Sequence, residues 1–301
     1  MKNLGISTFS SVAALLVFLP SNGFAQTIQS QLPGTWLLAS CQPAAGSALQ
    51  TICSNNPTGS LGFSPTGRYT EVVMNGGRPR GDADRSKITP EQYKAIAQGV
   101  VAQFGTYSVN EADKTMTLRT DTSLMGGTQG GERKINISLT GDELKATSPL
   151  GTTTWKRSGP AFTVALVGQE KTLKQQIQGP WSYAACNSTN EKGEKLAYCA
   201  NNPKGIMILA GNGNWSGTIV AGGRKDANAP GVTALFGTWS VNEADKTLTR
   251  HIVSGLNPAL EGKDFTVNIS LNGEEMRLRG DATVPGEGVV HLDGTYRRFK
   301  Q

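Results

Sequence analysis

The chain of 301 residues writes one phrase twice: FGTYSVNEADKTMTL from Phe104 to Leu118, and FGTWSVNEADKTLTR from Phe236 to Arg250, 132 residues further on. The likeness extends outward in the same order. CSNNPTG (53–59) matches CANNPKG (199–205), and NGGR (75–78) matches AGGR (221–224). INISLTGDEL (135–144) matches VNISLNGEEM (267–276), and TTTWKR (152–157) matches DGTYRR (293–298). The chain is therefore two copies of one unit of about 125 residues, a length that completes a single hydrophobic core. Whatever fold it adopts must be one that such a unit finishes, twice.

The register between the copies shifts once. From the cysteines to GGR the offset is 145 to 146 residues, and from FGT onward it is 132, so the first copy holds about fourteen extra residues within TPEQYKAIAQGVVAQ (89–103). Thr89 is a good N-cap, Pro90 suits the first helical position and Gln92 can close a capping box. The insertion reads as a short helix where the second copy has DANAPGV. The same alignment sorts the cysteines. Four cysteines allow three pairings, but Cys41 and Cys53 stand in one copy where Cys186 and Cys199 stand in the other. The repeat thus selects one bridge inside each copy, closing the loop between its first and second strands.

Each copy reads as eight short strands punctuated by Gly, Pro, Asn and Asp. In the first they fall near 34–41, 58–63, 67–74, 105–110, 114–120, 132–139, 142–147 and 151–157. In the second they fall near 179–186, 205–210, 213–220, 236–242, 246–253, 263–271, 274–279 and 289–298. Within the repeated phrase, FGTYSV and KTMTL are strands and NEAD is their tight connection, rich in residues that bond their own backbone or tolerate turn geometry. Its two carboxylates are too few oxygens for a calcium ion. Period-two alternation is clean in Thr115-Met116-Thr117-Leu118 and weak from Arg68 to Val73. Eight antiparallel strands in about 125 residues close most economically into an up-and-down barrel, which leaves no sheet edge. The expected fold is all-β, with two tandem eight-stranded antiparallel up-and-down barrels and a short helix inserted in the first.

The N-terminus carries Lys2, an apolar run VAALLVFLP (12–20), a polar break and a small-x-Ala pattern ending at Ala25. That is the pattern of a secretory signal peptide cleaved near Ala25, because the run is too short to span a bilayer. The expected organisation is a signal peptide over 1–25, a barrel over 26–158, a linker over 159–176 and a second barrel over 177–301, in a secreted or periplasmic protein. No later stretch approaches the roughly 20 apolar residues of a membrane helix, so no integral membrane segment is expected. The formal net charge of +6 is small and spread out, without a run of five Lys or Arg, which argues against nucleic acid as a partner.

Each copy opens with Gly-x-Trp (Gly34-Thr35-Trp36, Gly179-Pro180-Trp181) and closes on an aromatic followed by basic residues (Trp155-Lys156-Arg157, Tyr296-Arg297-Arg298). Together with FSPTGRYT (63–70), FGTYSVNEADKT and RKINISLTGDEL (133–144), these resemble the bacterial and fungal lipocalin-like domain family over nearly all of 32–157 and more loosely over 177–298. The resemblance implies a first-strand Trp plugging the closed end of each barrel with a basic last-strand residue across its ring. Arg157 would serve Trp36, and Arg297 or Arg298 would serve Trp181. It also implies a histidine and an arginine that neither copy keeps together. The second copy has His251 where the first has Arg119, and the first keeps Arg133 where the second has Phe265.

Chemistry beyond this is sparse. The two histidines, His251 and His291, are too few for a metal site once the cysteines are bridged. No Ser sits in a Gly-x-Ser-x-Gly elbow. The Gly pairs at 76–77, 126–127, 130–131 and 222–223 lack the spacing of a phosphate loop and read as flexible loops at an open barrel end. No catalytic residue, metal or cofactor is assigned. An eight-stranded barrel either fills itself with side chains or holds one small ligand. The bulky positions for lining it are Tyr69, Tyr107, Met116, Leu118 and Trp155, with Arg133, in the first copy, and Trp215, Trp239, Leu248 and Phe265, with His251, in the second. The expected function is binding of a small apolar or amphipathic molecule in one or both barrels. The rival is a barrel isomerase or cyclase that uses an Arg or His in the cavity.

Overall fold

Ile135 and Ile137 on a strand over Glu132–Thr140 are buried, while the alternating Lys134, Asn136 and Ser138 are exposed, and most strands of the chain repeat this two-residue rhythm. A computed structural model describes residues 27–80, 87–124, 130–159, 171–223 and 231–299. The expected signal peptide and most of the expected linker lie outside the described residues. In the first copy the strands are β1 (Gly34–Pro43), β2 (Thr58–Phe63), β3 (Arg68–Met74), β4 (Val100–Asn110), β5 (Thr115–Ser123), β6 (Glu132–Thr140), β7 (Glu143–Ser148) and β8 (Gly151–Arg157). Each pairs antiparallel with the next, and β8 returns to β1, closing an eight-stranded barrel.

The second copy contains β9 (Gly179–Cys186), β11 (Lys204–Leu209), β12 (Asn214–Val220), β13 (Val232–Asn242), β14 (Thr247–Gly255), β15 (Asp264–Asn272), β16 (Glu275–Val284) and β17 (Gly288–Arg298), with β17 pairing back onto β9. A two-residue strand β10 (Thr189–Asn190) is appended to β17. The fold is thus all-β, two tandem closed eight-stranded antiparallel barrels. Both disulfides form within their copies, Cys41–Cys53 and Cys186–Cys199.

Among the described residues there are also four short α-helices and two 3-10 turns, Ala197–Cys199 and Pro258–Leu260. The inserted one, α3 (Pro90–Gln98), begins as expected, with Thr89 and Gln92 closing a capping box and Pro90 in the first turn. Helix α2 (Leu49–Cys53) lies in the first disulfide loop. Like α2, two further single-turn helices were not anticipated: α1 (Ile28–Gln31) ahead of β1 and α4 (Leu173–Ile177) ahead of β9, the latter mostly within the stretch expected to be linker. Their first backbone N–H groups are received by the repeated phrase. Glu111 accepts from Ile28 and Gln29 at 3.0 and 2.8 Å, and Glu243 accepts from Leu173 and Lys174 at 2.7 and 2.9 Å. The NEAD turn therefore does more than reverse the chain: its Glu caps the helix that enters the barrel.

The Gly pairs also differ from expectation at two places. A Cβ on Gly76 would lie 2.3 Å from the Asn55 carbonyl oxygen, and one on Gly222 would lie 1.6 Å from that of Asn201. These glycines are there because the backbone just after each disulfide loop, turning through left-handed Asn55-Asn56 and Asn201-Asn202, presses against them.

The barrels touch along their outer walls. Val72, Met74, Val100 and Ala102 of the first, with Tyr93, Ile96 and Ala97 of α3, form one buried cluster with Val220, Val232, Ala234, Phe236 and Leu256 of the second. Phe104 packs with Ile206 and Ile208 beside it. Arg78 crosses the seam, donating to the Gly255 carbonyl at 2.7 Å and to Glu261 at 2.5 Å. Among the described residues no helix is long and apolar enough to cross a membrane.

Candidate functional site

The closed ends are built alike. Trp36 is fully buried and its indole N–H donates to the Leu32 carbonyl at 2.9 Å; Trp181 does the same to Ile177 at 2.7 Å. Arg157 lies over the Trp36 ring at 4.1 Å and Arg298, rather than Arg297, over Trp181 at 4.2 Å. Burial against the indole lowers the pKa of both guanidinium groups, opposed by Asp142 and Glu274 respectively. Each arginine also donates to carbonyls of the chain entering the barrel, Gln31 and Pro33 in one copy, Gln176 and Gln178 in the other. These floors are structural anchors.

Above its floor the first barrel packs its own bulky side chains together. Tyr69, Tyr107, Met116, Leu118 and Trp155 all belong to one buried cluster. Tyr107 meets Phe63 edge-to-face at 4.7 Å and donates to the Ser64 carbonyl, Tyr69 hydrogen-bonds Thr120, and Trp155 donates to Thr153. Burial pushes the Tyr69 phenol up to about 12 and raises Tyr107 as well. Arg133 faces inward but is neutralised from within: it pairs with Glu71 at 3.0 Å, and Gln103 donates to the same carboxylate at 2.5 Å.

The second barrel holds a partly open cavity of about 130 Å³. Its walls are Met207, Trp215, Ile252, Leu260, Phe265, Val267 and other aliphatic residues, and one side carries Tyr183, Tyr198, Tyr296 and Arg250. Tyr183 and Tyr296 meet edge-to-face at 4.7 Å. Burial raises all three phenols, Tyr198 up to about 12. The positive charge of Arg250, which lines the same cavity, acts on each in the opposite direction. Arg250 lies over Trp215 at 5.2 Å, and its Nε is buried with no hydrogen-bond partner.

Of the residues expected to line the second barrel, Trp215 and Phe265 do. Trp239 and Leu248 are buried in the core, Trp239 donating to the Ala210 and Asn214 carbonyls. His251 is turned to the outside, where its Nδ1 lies 2.7 Å from Asp264. It occupies the position of Arg119, which pairs with Glu132 on the first barrel, so these are equivalent cross-strand surface pairs. Sequence reasoning passed over Arg250, although the signal stood at the end of the repeated phrase, where Leu118 in one copy becomes Arg250 in the other.

Sheet register makes that exchange exact in space. Leu118 pairs with Tyr107 and Arg133; Arg250 pairs with Trp239 and Phe265. The leucine-arginine couple of the first barrel thus becomes arginine-phenylalanine in the second. Glu71, the carboxylate facing Arg133, pairs with Leu61 and Gln103, and its counterpart paired with Met207 and Leu235 is Gly217.

Residues 33–167 match the model of the lipocalin-like domain family. No curated protein matches the chain. Among solved structures, the Cpx pathway activator NlpE from Escherichia coli is similar at 13% identity over 70% of this chain and 86% of its own, with a TM-score of 0.21. A DUF3598-family protein from Nostoc punctiforme PCC 73102 is similar at 11% identity over 89% of this chain and 97% of its own, with a TM-score of 0.20. Both scores are low, and the fold rests on the strand order itself. Residues 33–167, over β1 to β8, are thus similar to the lipocalin-like domain family, and the second copy repeats the same strand order, tryptophan floor and disulfide loop as a tandem duplicate with a different interior.

Proposed function

We propose that this is an exported binding protein whose second barrel holds a small apolar or amphipathic molecule. The observation that carries the reading is the cavity of about 130 Å³ inside that barrel, apolar over most of its wall with a few convergent polar groups on one side. The first barrel, filled by its own aromatic residues and by the Arg133–Glu71 pair, serves as its support. Export is supported by one disulfide in each copy, since such bridges persist in oxidising compartments, and by the signal-like N-terminus of the sequence.

Native mass spectrometry of the protein taken directly from its host tests the reading. The expected result is a mass excess of one small molecule per chain that is lost on denaturation. Protein that arrives free of any such molecule, and that takes up none from a panel of single-ring apolar compounds, overturns it. N-terminal sequencing of the same preparation is expected to begin at Gln26.

A further inference from the structure

The cavity wall offers hydrogen-bond donors without acceptors. Arg250 Nε is buried and unpartnered, and so is Asn257 Nδ2 on the same wall. The amide of Asn257 is oriented by its Oδ1, which accepts from the backbone N–H of Ala259 at 3.1 Å, so the free edge of that group is its donor edge. An unmet buried donor is costly, and two around one cavity select an occupant that only accepts. The first barrel shows how the unit satisfies an inward arginine by itself: Arg133 has Glu71. In the second barrel that carboxylate position is Gly217, which also lines the cavity, and the arginine has moved one strand over to Arg250. The only acidic side chain among the lining residues is Glu287, on the connection from β16 to β17.

We propose that the ligand of the second barrel is a small apolar monocarboxylate, its carboxylate received by Arg250 and Asn257 in place of the internal glutamate that the first barrel keeps, and its hydrocarbon body held by Trp215, Phe265 and Ile252. This deepens the binding reading above and rests on it. A planar guanidinium matches a carboxylate with two parallel bonds. The cavity, about 130 Å³, is on the scale of the roughly 150 Å³ void that takes up one benzene ring. The class is therefore an aryl or branched alkyl acid of about one ring.

Calorimetric titration with benzoate, phenylacetate and 3-phenylpropanoate, each beside its neutral amide, tests the proposal on the full chain. The acids are expected to bind at least about 10-fold more tightly than the amides. Arg250→Leu, which restores the residue of the first barrel, is expected to reduce that preference to under about 2-fold while the amides still bind. Gly217→Glu supplies the internal counter-ion at a position where a Cβ meets nothing closer than 3.4 Å, and is expected to abolish acid binding with the fold intact by circular dichroism. Acids and amides binding equally, or an acid preference unchanged in both variants, would overturn the carboxylate assignment and leave the binding reading standing. No binding by either series overturns both.

Discussion

Leu118 and Arg250 end the same fifteen-residue phrase, face the interior at the same register, and give the two barrels opposite interiors. One closes a packed core; the other brings a charge into a cavity. The aromatic residues around them were legible in the sequence, because bulky residues at alternating positions mark an inward face, but alternation is silent on whether the space between them closes. That depends on pairs such as Glu71 and Gly217, which become partners or gaps only once register is set. Tyr69 gives the filled interior a measurable pH limit. Folded Tyr69 keeps its proton up to about 12, whereas in the unfolded chain it is released from the ordinary value of 10.0. Its contribution is therefore complete below pH 10 and lost as the pH rises towards 12, about 3 kcal/mol for a two-unit difference. Chemical denaturation at pH 9 and pH 12 is expected to show this loss, and Tyr69→Phe to diminish it. Trp36→Ala, which empties a fully buried indole site, leaves the Leu32 carbonyl without its donor and removes the ring beneath Arg157, is expected to cost about 3–5 kcal/mol in the same measurement.

Among the elements, the hairpins and the inserted helix α3 were readable because their signals are local: a turn between two alternating runs, or Thr-Pro-x-Gln at a helix start. The single-turn helices α1 and α4 do start on local caps, Thr27 in one and the Thr172–Gln175 capping box in the other, but one turn is too short to hold by itself, and something distant also receives their N-termini. That receiver is the Glu of the repeated turn, so NEAD recurs to tie the entering chain to the β4–β5 and β13–β14 hairpins as well as to reverse direction. Glu243→Ala is expected to destabilise by about 1 kcal/mol, with amide exchange of Leu173 and Lys174 accelerated and that of β14 unchanged. The disulfide loops have a comparable place in the elements around the cavity. Ser188, Leu196 and Tyr198 all lie between Cys186 and Cys199, and all line it. Replacing both of these cysteines by Ser is expected to cost about 2–4 kcal/mol, read as a lower midpoint in urea, and the Cys41–Cys53 pair to behave alike.

Across the whole molecule, the seam between the barrels was the least legible feature. Its residues are apolar on the outward face of β3, opposite the inward Tyr69 and Val73, so both faces of that strand are buried and the alternation from Arg68 to Val73 fades. A fragment over 26–158 is expected to close its barrel yet self-associate through Val72, Met74, Tyr93, Ile96 and Phe104, seen as a concentration-dependent sedimentation coefficient that the full chain lacks. Arg78→Ala removes the cation that joins the Glu261 carboxylate and the Gly255 carbonyl across the seam, and is expected to cost about 3 kcal/mol. The seam has a consequence for the cavity as well. An open cavity of about 130 Å³ costs a fold about 3 kcal/mol at roughly 24 cal/mol per Å³. A lone barrel that hollowed itself out would bear that loss unaided, whereas here a solid sibling braces its wall. Two copies of one unit can thereby divide the work, one keeping a packed core and the other a binding space.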